Sequence, residues 1–596
     1  MKQIYYVIQT LLRGRGSNII KVISLGLGLT MSILLFSRVA YEQSFDTCFK
    51  DYDNLYQVWS IFSVKGEKFE PQEWNCGPVA GAILENFPKE VESAVSLSTS
   101  MVSAPLYNGS VRLDDRKIAA DSLFFRTMGI DVLNGNPEKD LVQKDIIFLS
   151  ERFARKVFGE ENPIGKTLNY DHQFDLTVKG IYANLPENAT INPEAVISMP
   201  TLWSRNWNNY SWSGGDSWVE FIRFRPGADK SVVNARIDAM IDKYRPAEDK
   251  KEYGYTAFVQ PIRDTYRNYD DVQRMRVIMS ILGFAILFIA ALNYVLISIS
   301  SLSRRAKIIG VHKCNGASDW GIMKMFLWET GILIFLSVLL MAFLMLNFQE
   351  PLERMADASL EAMFTYENLW APVCAVLFIF IVGGVLPGLQ FSRIPVTQVF
   401  RRYTEGKKSW KRPLLFIQFT GTAFIFALLA LVLVQSNHMT NIDRGFTTER
   451  MAFTYYYFSN PENARSTFQN LPYVEAVASS SLPLYEGMSG CQVTTESGNQ
   501  YSMRGNAIDK DYLPFVGIKL KEGRNLKQQD EVVVNRKFLE VMHWKENPIG
   551  RQVRNNDEIL GTIVGVTEDF RSSNPIFVPE EPVVFQYRSD FSGCIQ

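Results

Sequence analysis

The chain has 596 residues, 47% of them hydrophobic and 21% charged, with a formal net charge of −1. That is too long for one core, roughly four domains by length, and without the basic excess of a nucleic-acid binder. Six scattered cysteines show no C-x-x-C spacing, and four histidines form no H-E-x-x-H motif, which argues against zinc-ribbon, redox-pair and metalloprotease chemistry.

Residues 1–18 place Ile4, Val7, Ile8, Leu11 and Leu12 at helical spacing, predicting an amphipathic helix on a membrane face. Residues 19–40 form the first run long enough to span a bilayer, which needs about 20 apolar residues. Lys21 and Arg38 sit near its ends, where snorkelling is expected. No A-x-A-like site precedes Tyr41, so the run reads as an uncleaved anchor. Residues 41–275 are ordinary water-soluble sequence. Four further spans follow at 277–302, 325–348, 369–392 and 413–441, and soluble sequence resumes at 442–596. Glu329 is the one acid within the third span and is read as structural rather than as a proton relay.

Basic residues set the orientation. Lys2, Arg13, Arg15 and Lys21 flank the start. Arg304, Arg305, Lys307, Lys313 and Lys324 oppose only Asp319 in the loop 303–324, and in 393–412 Arg393, Arg401, Arg402, Lys407, Lys408, Lys411 and Arg412 oppose only Glu405. The segment 349–368 is acidic. Alternation then puts the N-terminus, 303–324 and 393–412 in the cytoplasm. Residues 41–275, 349–368 and 442–596 lie outside.

The soluble parts repeat. Phe153 to Gly180 and Phe538 to Gly565 align at a constant offset of 385, with Glu161-Asn162-Pro163-Ile164-Gly165 recurring as Glu546-Asn547-Pro548-Ile549-Gly550. Gly135 matches Gly523 at offset 388. Each copy reads as a short strand (145–149; 531–534), then a helix capped by Ser150 or Asn535, the Asn-Pro-Ile-Gly turn, and a second strand (178–182; 563–566). Residues 218–225 alternate as a strand and 232–244 read as a helix. The fold class is therefore a multi-domain membrane protein, five α-helical spans carrying two α+β extracytoplasmic domains. Gly159 to Thr167 is not a P-loop: five residues separate its glycines, Pro163 interrupts it, and the second copy has Arg551-Gln552 in place of Lys-Thr.

Several motifs now combine. Tyr41-Glu42-Gln43-Ser44-Phe45-Asp46 follows the first span, and Asp53-Asn54-Leu55-Tyr56-Gln57-Val58 follows shortly after. The 158–166 stretch, Asn293, the run Arg305 to Ser318, Gly388, Arg393-Ile394-Pro395-Val396, Gln418-Phe419 and Gly565 to Phe570 complete the set. In order and spacing the chain resembles the MacB/FtsX-type permeases of ABC transporters, in the tandem long form with two periplasmic core domains. The resemblance covers essentially the whole chain. It implies an inner-membrane protein with no chemistry and no cofactor of its own, ATP being bound by a separate ATPase subunit. It also implies mechanotransmission, in which ATP-driven motion reaches the outer domains for efflux, for extraction of a periplasmic or membrane substrate, or for control of a cell-wall hydrolase. Implied partners are the ABC ATPase, a second permease chain, a periplasmic adaptor or outer-membrane partner, and membrane lipid. The loop 303–324 corresponds to the family's ATPase-docking element, which assigns docking to Arg305, Lys307, Ile308, Gly310, Val311, Lys313, Gly316, Ala317 and Ser318. The chain departs from the pattern at Ile308, His312 and Asn315, where the family has Glu, Arg and Leu. The tandem form has three more spans after its second domain, so a C-terminally truncated chain is expected, and with it the alternatives of a non-transporting regulator or an inactive remnant. Cys48, Cys76, Cys491 and Cys594 lie on the outer side, with their pairing open.

Overall fold

The structure, a computed structural model, describes residues 15–596 apart from 65–66, 208–209, 213–215, 247–249, 251–252, 301–308, 393–410, 456–460, 485–486, 496–499, 545–546, 556–557, 573–580, 589–593 and 596. The amphipathic helix expected over 1–18 therefore falls outside it as far as residue 14. The chain forms two compact units, Met1–Ala423 and Phe424–Gln596.

Five helices are long and apolar enough to cross a membrane: Asn18–Gln43, Asp270–Ser300, Asp319–Asn347, Tyr366–Leu389 and Arg412–Asn441. The first is the hub of the first unit. Leu25, Leu29 and Ile33 are fully buried, packed with Leu287, Ala291, Leu333 and Ile379 of the next three spans. Small residues permit the approach. A Cβ on Gly28 would meet Ala290, and one on Gly26 would meet Leu340. The fifth span buries none of its apolar window.

The polar residues of the first span correct the snorkelling expectation. Lys21 is 1% exposed, with its ammonium 5.1 Å from the centre of the Tyr294 ring. Arg38 is 7% exposed and pairs with Glu42 at 2.5 Å. Lys21 faces Tyr294 of the second span and Arg38 faces Glu42 on its own helix, so protein partners stand where headgroups were expected.

The fourth span is not one regular helix. It runs Trp370–Phe380, opens into a π turn over Ile381–Val385, and continues as Leu386–Ser392. The turn lies where Gly383 meets the Tyr294 ring and Gly384 meets Thr330, whose hydroxyl is 3.0 Å from that of Tyr294. Such bulges often mark functional positions in helices.

The first soluble domain is a mixed sheet. Its strands run Tyr253–Pro261, Leu55–Val64, Asp216–Phe224, Val91–Ser98, Lys117–Ala120, Ala195–Ser198, Ile146–Ser150, Phe174–Tyr182, Thr167–Tyr170, Leu106–Asn108 and Val111–Leu113. One half carries the helices Val79–Asn86 and Ser231–Tyr244 over a core that includes Ile83, Phe224 and Ile241. The other carries Glu151–Phe158 over Leu149, Phe153 and Val178. Strand Phe174–Tyr182 alternates as a half-buried strand must, with Leu176, Val178 and Tyr182 inward and Asp175 and Lys179 outward. Its parallel neighbour Ile146–Ser150 is buried along its whole length and reads as a continuous apolar run.

The second domain rebuilds this centre. Ile147 pairs Val178 and Phe148 pairs Gly180, with a register shift between them; Val532 pairs Ile563 and Val533 pairs Gly565, with the shift at the same place. Ser150 Oγ accepts from the Phe153 amide at 3.1 Å, and Asn535 Oδ1 accepts from the Phe538 amide at 3.0 Å. The turns match as well. Gly165 and Gly550 have φ of 84° and 87°, and their amides donate to the carbonyls of Val178 and Ile563, each at 2.8 Å.

Gly135, at φ 94°, packs so closely that a Cβ would lie 2.5 Å from the Lys179 carbonyl and 2.8 Å from Gly180 Cα. Gly135→Ala therefore combines left-handed strain with a backbone clash. It is expected to cost about 2 kcal/mol or more. Thermal unfolding of the purified chain measures this, and an unchanged midpoint would refute the tight approach.

Candidate docking element and membrane–domain joint

Two places connect helices that cross the membrane to what lies beyond them. The first is the link between the second and third spans. Residues 309–314 are helical, and Gly316, at φ 87°, ends the helix. Its amide donates to Lys313 O at 3.0 Å, and that of Ala317 to His312 O at 3.0 Å, the paired bonds of a glycine C-cap. Ser318 then caps the third span, accepting from the Gly321 amide at 3.2 Å. Ile309 is buried against Ile322 and Phe326. Lys313 Nζ donates to Ser392 O at 2.6 Å and pairs with Asp319 at 2.7 Å, which fixes the link to the end of the fourth span.

The nominated docking residues separate accordingly. Val311, Gly316 and Ser318 are exposed, Gly310 is buried, Ala317 packs against the Ile309 cluster, and Lys313 is committed to the helix ends. Arg305, Lys307 and Ile308 lie outside the described residues. Cys314 and Trp320 are exposed as well and were not among the residues assigned to docking; Asn315, noted above as a departure from the family pattern, is also exposed. Their signal was available, since each falls three or four residues from a residue on the same helical or capping face.

The second place is the exit of the first span, at Tyr41 to Asp46. Phe45 stacks on Tyr266 with ring centres 3.8 Å apart and planes 9° from parallel. The Arg267 guanidinium donates to Gln43 O. Asp46 is fully buried at φ 60°. Its carboxylate accepts from the Thr190 amide at 2.7 Å and the Thr190 hydroxyl at 2.6 Å, and its amide donates to Asn188 O at 2.9 Å. Asn188 Nδ2 in turn donates to Ser44 O at 2.8 Å. The acidic segment joins this assembly, because Ser359 Oγ donates to Glu187 at 3.1 Å. The first span is thus bolted to the loop 187–193 of the soluble domain by short polar bonds rather than by a flexible tether.

Burial pushes the Asp46 carboxyl up to about 6, against the Thr190 bonds and the charge of Arg267. Burial and the neighbouring Glu42 hold the Tyr266 hydroxyl above its ordinary value. Deeper in the domain, burial lifts Glu220 well above the carboxylate range although Ser96 Oγ donates to it at 2.9 Å, and lifts Asp121 to about 6. No three His, Cys, Asp or Glu side chains gather as a metal site among the described residues. Cys48, Cys76 and Cys491 are not joined in disulfides.

A family model described as the MacB-like periplasmic core domain matches residues 19–240 and again 419–592. A second, the FtsX-like permease C-terminal model, matches residues 280–396. Similar solved structures include a domain of a putative permease protein from Porphyromonas gingivalis (21% identity, 36% of this chain and 92% of that one, TM-score 0.32). The periplasmic region of MacB from Actinobacillus actinomycetemcomitans is 16% identical over 36% of this chain and 93% of that one, with a TM-score of 0.27. The extracellular domain of the noncanonic ABC-type transporter YknZ from Gram-positive bacteria is 14% identical over 33% and 99%, with a TM-score of 0.25. No curated protein matches the chain.

Proposed function

Because the chain belongs to the MacB/FtsX-type permease family, its core-domain model covering more than half of the residues, we propose that it is the membrane subunit of an ABC transporter. In this reading a separate ATPase docks on the link 303–324 from the cytoplasm. Nucleotide-driven motion passes through the spans to the two outer domains. The work done there is export or extraction of a periplasmic or membrane substrate. The chain sits in the inner membrane with its N-terminus inside.

The observation that carries this reading is mechanical continuity. At one end Lys313 locks the docking link to the fourth span. At the other, Asp46 and Thr190 lock the first span to the soluble domain. Between them the first span is packed against the second, third and fourth. A displacement applied at the link is passed on by packed helices rather than absorbed by slack. The bond from Ser359 to Glu187 supports the assigned topology, since it puts the acidic segment on the same side as the soluble domain.

The test is copurification of the detergent-solubilised chain with candidate ATPases. Gly310 is buried, so the informative change is at exposed Val311. Val311→Asp is expected to weaken ATPase binding at least tenfold, with the chain's own melting point unchanged, because a charge in the apolar centre of an interface costs about 1.4 kcal/mol or more. Equal binding by Val311→Asp and the parent would exclude this face as the dock. A folded parent that binds no ATPase would overturn the reading.

A further inference from the structure

A cleft of about 310 Å³ opens in the first soluble domain beside the strand Lys117–Ala120. Its lining includes Thr99, Ser103, Arg116, Lys117, Thr190 and Asn192. We propose that this cleft binds an anionic group, a phosphate or carboxylate, held by Arg116 and Lys117.

Charge accounting around the cleft supports this. Asp114 and Asp115 also line it, yet each is already paired, Asp114 with Arg112 at 2.9 Å and Asp115 with Lys156 at 2.6 Å. Arg116 has no ion-pair partner among the described residues. Lys117 is 8% exposed and donates once, to Asp115 O at 3.2 Å, which leaves two ammonium donors without a protein acceptor among the described residues. A buried ammonium with unused donors is costly unless something fills them. Burial lowers the Lys117 pKa, and a bound anion would act in the opposite direction. The hydroxyls of Thr99 and Ser103, which also line the cleft, can add neutral donors to these two cationic groups.

The cleft's second property is its wall. Thr190 lines it and is also the residue that Asp46 grips at the exit of the first span. An occupant bridging Lys117 to the loop 190–193 would stiffen the loop on which the membrane helix is anchored. The site is thus placed to report a ligand outside the membrane to the spans.

The probe is inorganic phosphate, titrated against the full chain in phosphatidylcholine nanodiscs at ionic strength held constant with chloride. The expected result is a saturable rise in melting temperature together with slower amide exchange over residues 187–193. Arg116 is exposed, so Arg116→Gln keeps the fold; it is expected to weaken binding by roughly 10–100-fold, the loss of one charge-assisted bond. Lys117→Met is expected to remove saturation. Repeating the titration with one third phosphatidylglycerol separates the sources. A raised apparent Kd for phosphate assigns the site to lipid headgroups, and an unchanged one assigns it to a soluble anion. A response that tracks ionic strength alone, or one that Arg116→Gln leaves intact, overturns the proposal. No ATPase is present, so the outcome is independent of whether the transporter reading holds.

Discussion

Glu42→Ala lowers the stability of the solubilised chain by about 3–5 kcal/mol, the cost of stranding one member of a buried ion pair. Glu42 is fully buried and Arg38 nearly so, and the two are 2.5 Å apart on successive turns of one helix. The Arg38 guanidinium also lies 5.2 Å from the centre of the Tyr41 ring, so it keeps an aromatic contact but loses its counter-ion. The double change Arg38→Met/Glu42→Leu is expected to recover most of the loss, because an apolar pair of similar volume suffers no desolvation penalty. Denaturant titration of parent, both single variants and the double variant completes the cycle. Additive losses would show that the pair is not coupled, and the packing described for the joint would then be wrong.

Asp46→Asn is expected to remove a pH dependence and to raise stability at neutral pH. The folded-state carboxyl titrates near 6, above its unfolded value near 4. Between those values the folded chain holds more proton than the unfolded one, so stability falls as pH rises from about 4 to about 6. Above that the penalty is fully present. At 1.36 kcal/mol per unit it reaches up to about 3 kcal/mol. The carboxamide that replaces the Asp46 carboxylate still accepts from the Thr190 backbone through its oxygen, and its NH2 can donate to the Thr190 hydroxyl. Asp46→Ala makes neither bond and is expected to cost about 1–3 kcal/mol instead. Melting curves from pH 4 to pH 8 test the sign. A parent profile that rises over this window would contradict it, and so would an Asp46→Asn variant less stable than the parent at pH 7.5.

Much of the architecture was legible in the sequence because it rests on local chemistry. Apolar runs of bilayer length became helices at 18–43, 270–300, 319–347, 366–389 and 412–441. The repeat located two caps and two turns: Ser150 and Asn535 each accept the amide three residues on, and Gly165 and Gly550 take the positive φ that their turns need. What stayed illegible depends on which face of an element meets which neighbour. Lys21 and Arg38 sit where hydropathy alone sends a charge to the headgroups, yet the bundle surrounds them. Gly310 and Lys313 share a basic loop with Val311, but only Val311 is left facing outward. The grip of Asp46 on Thr190 joins residues 144 apart, and no periodicity records it. The π turn in the fourth span reflects crowding between Gly383, Tyr294 and Thr330 on three different helices.

The central position of the first span has a consequence for biogenesis. It leaves the ribosome first, while its packing partners start only at Asp270. At roughly 5–20 residues per second, translation of the intervening domain takes on the order of 10–50 s. For that interval a helix carrying Lys21, Arg38 and Glu42 waits in the insertion machinery or in lipid without the bundle that later encloses it. Lys21 lies near the end of its helix, where it can reach the water layer until Tyr294 is made. Arg38 and Glu42 need no later segment, because each finds its counter-charge four residues away on the same helix. Placing the pair within one helix allows the nascent anchor to be neutralised before any of its neighbours exist.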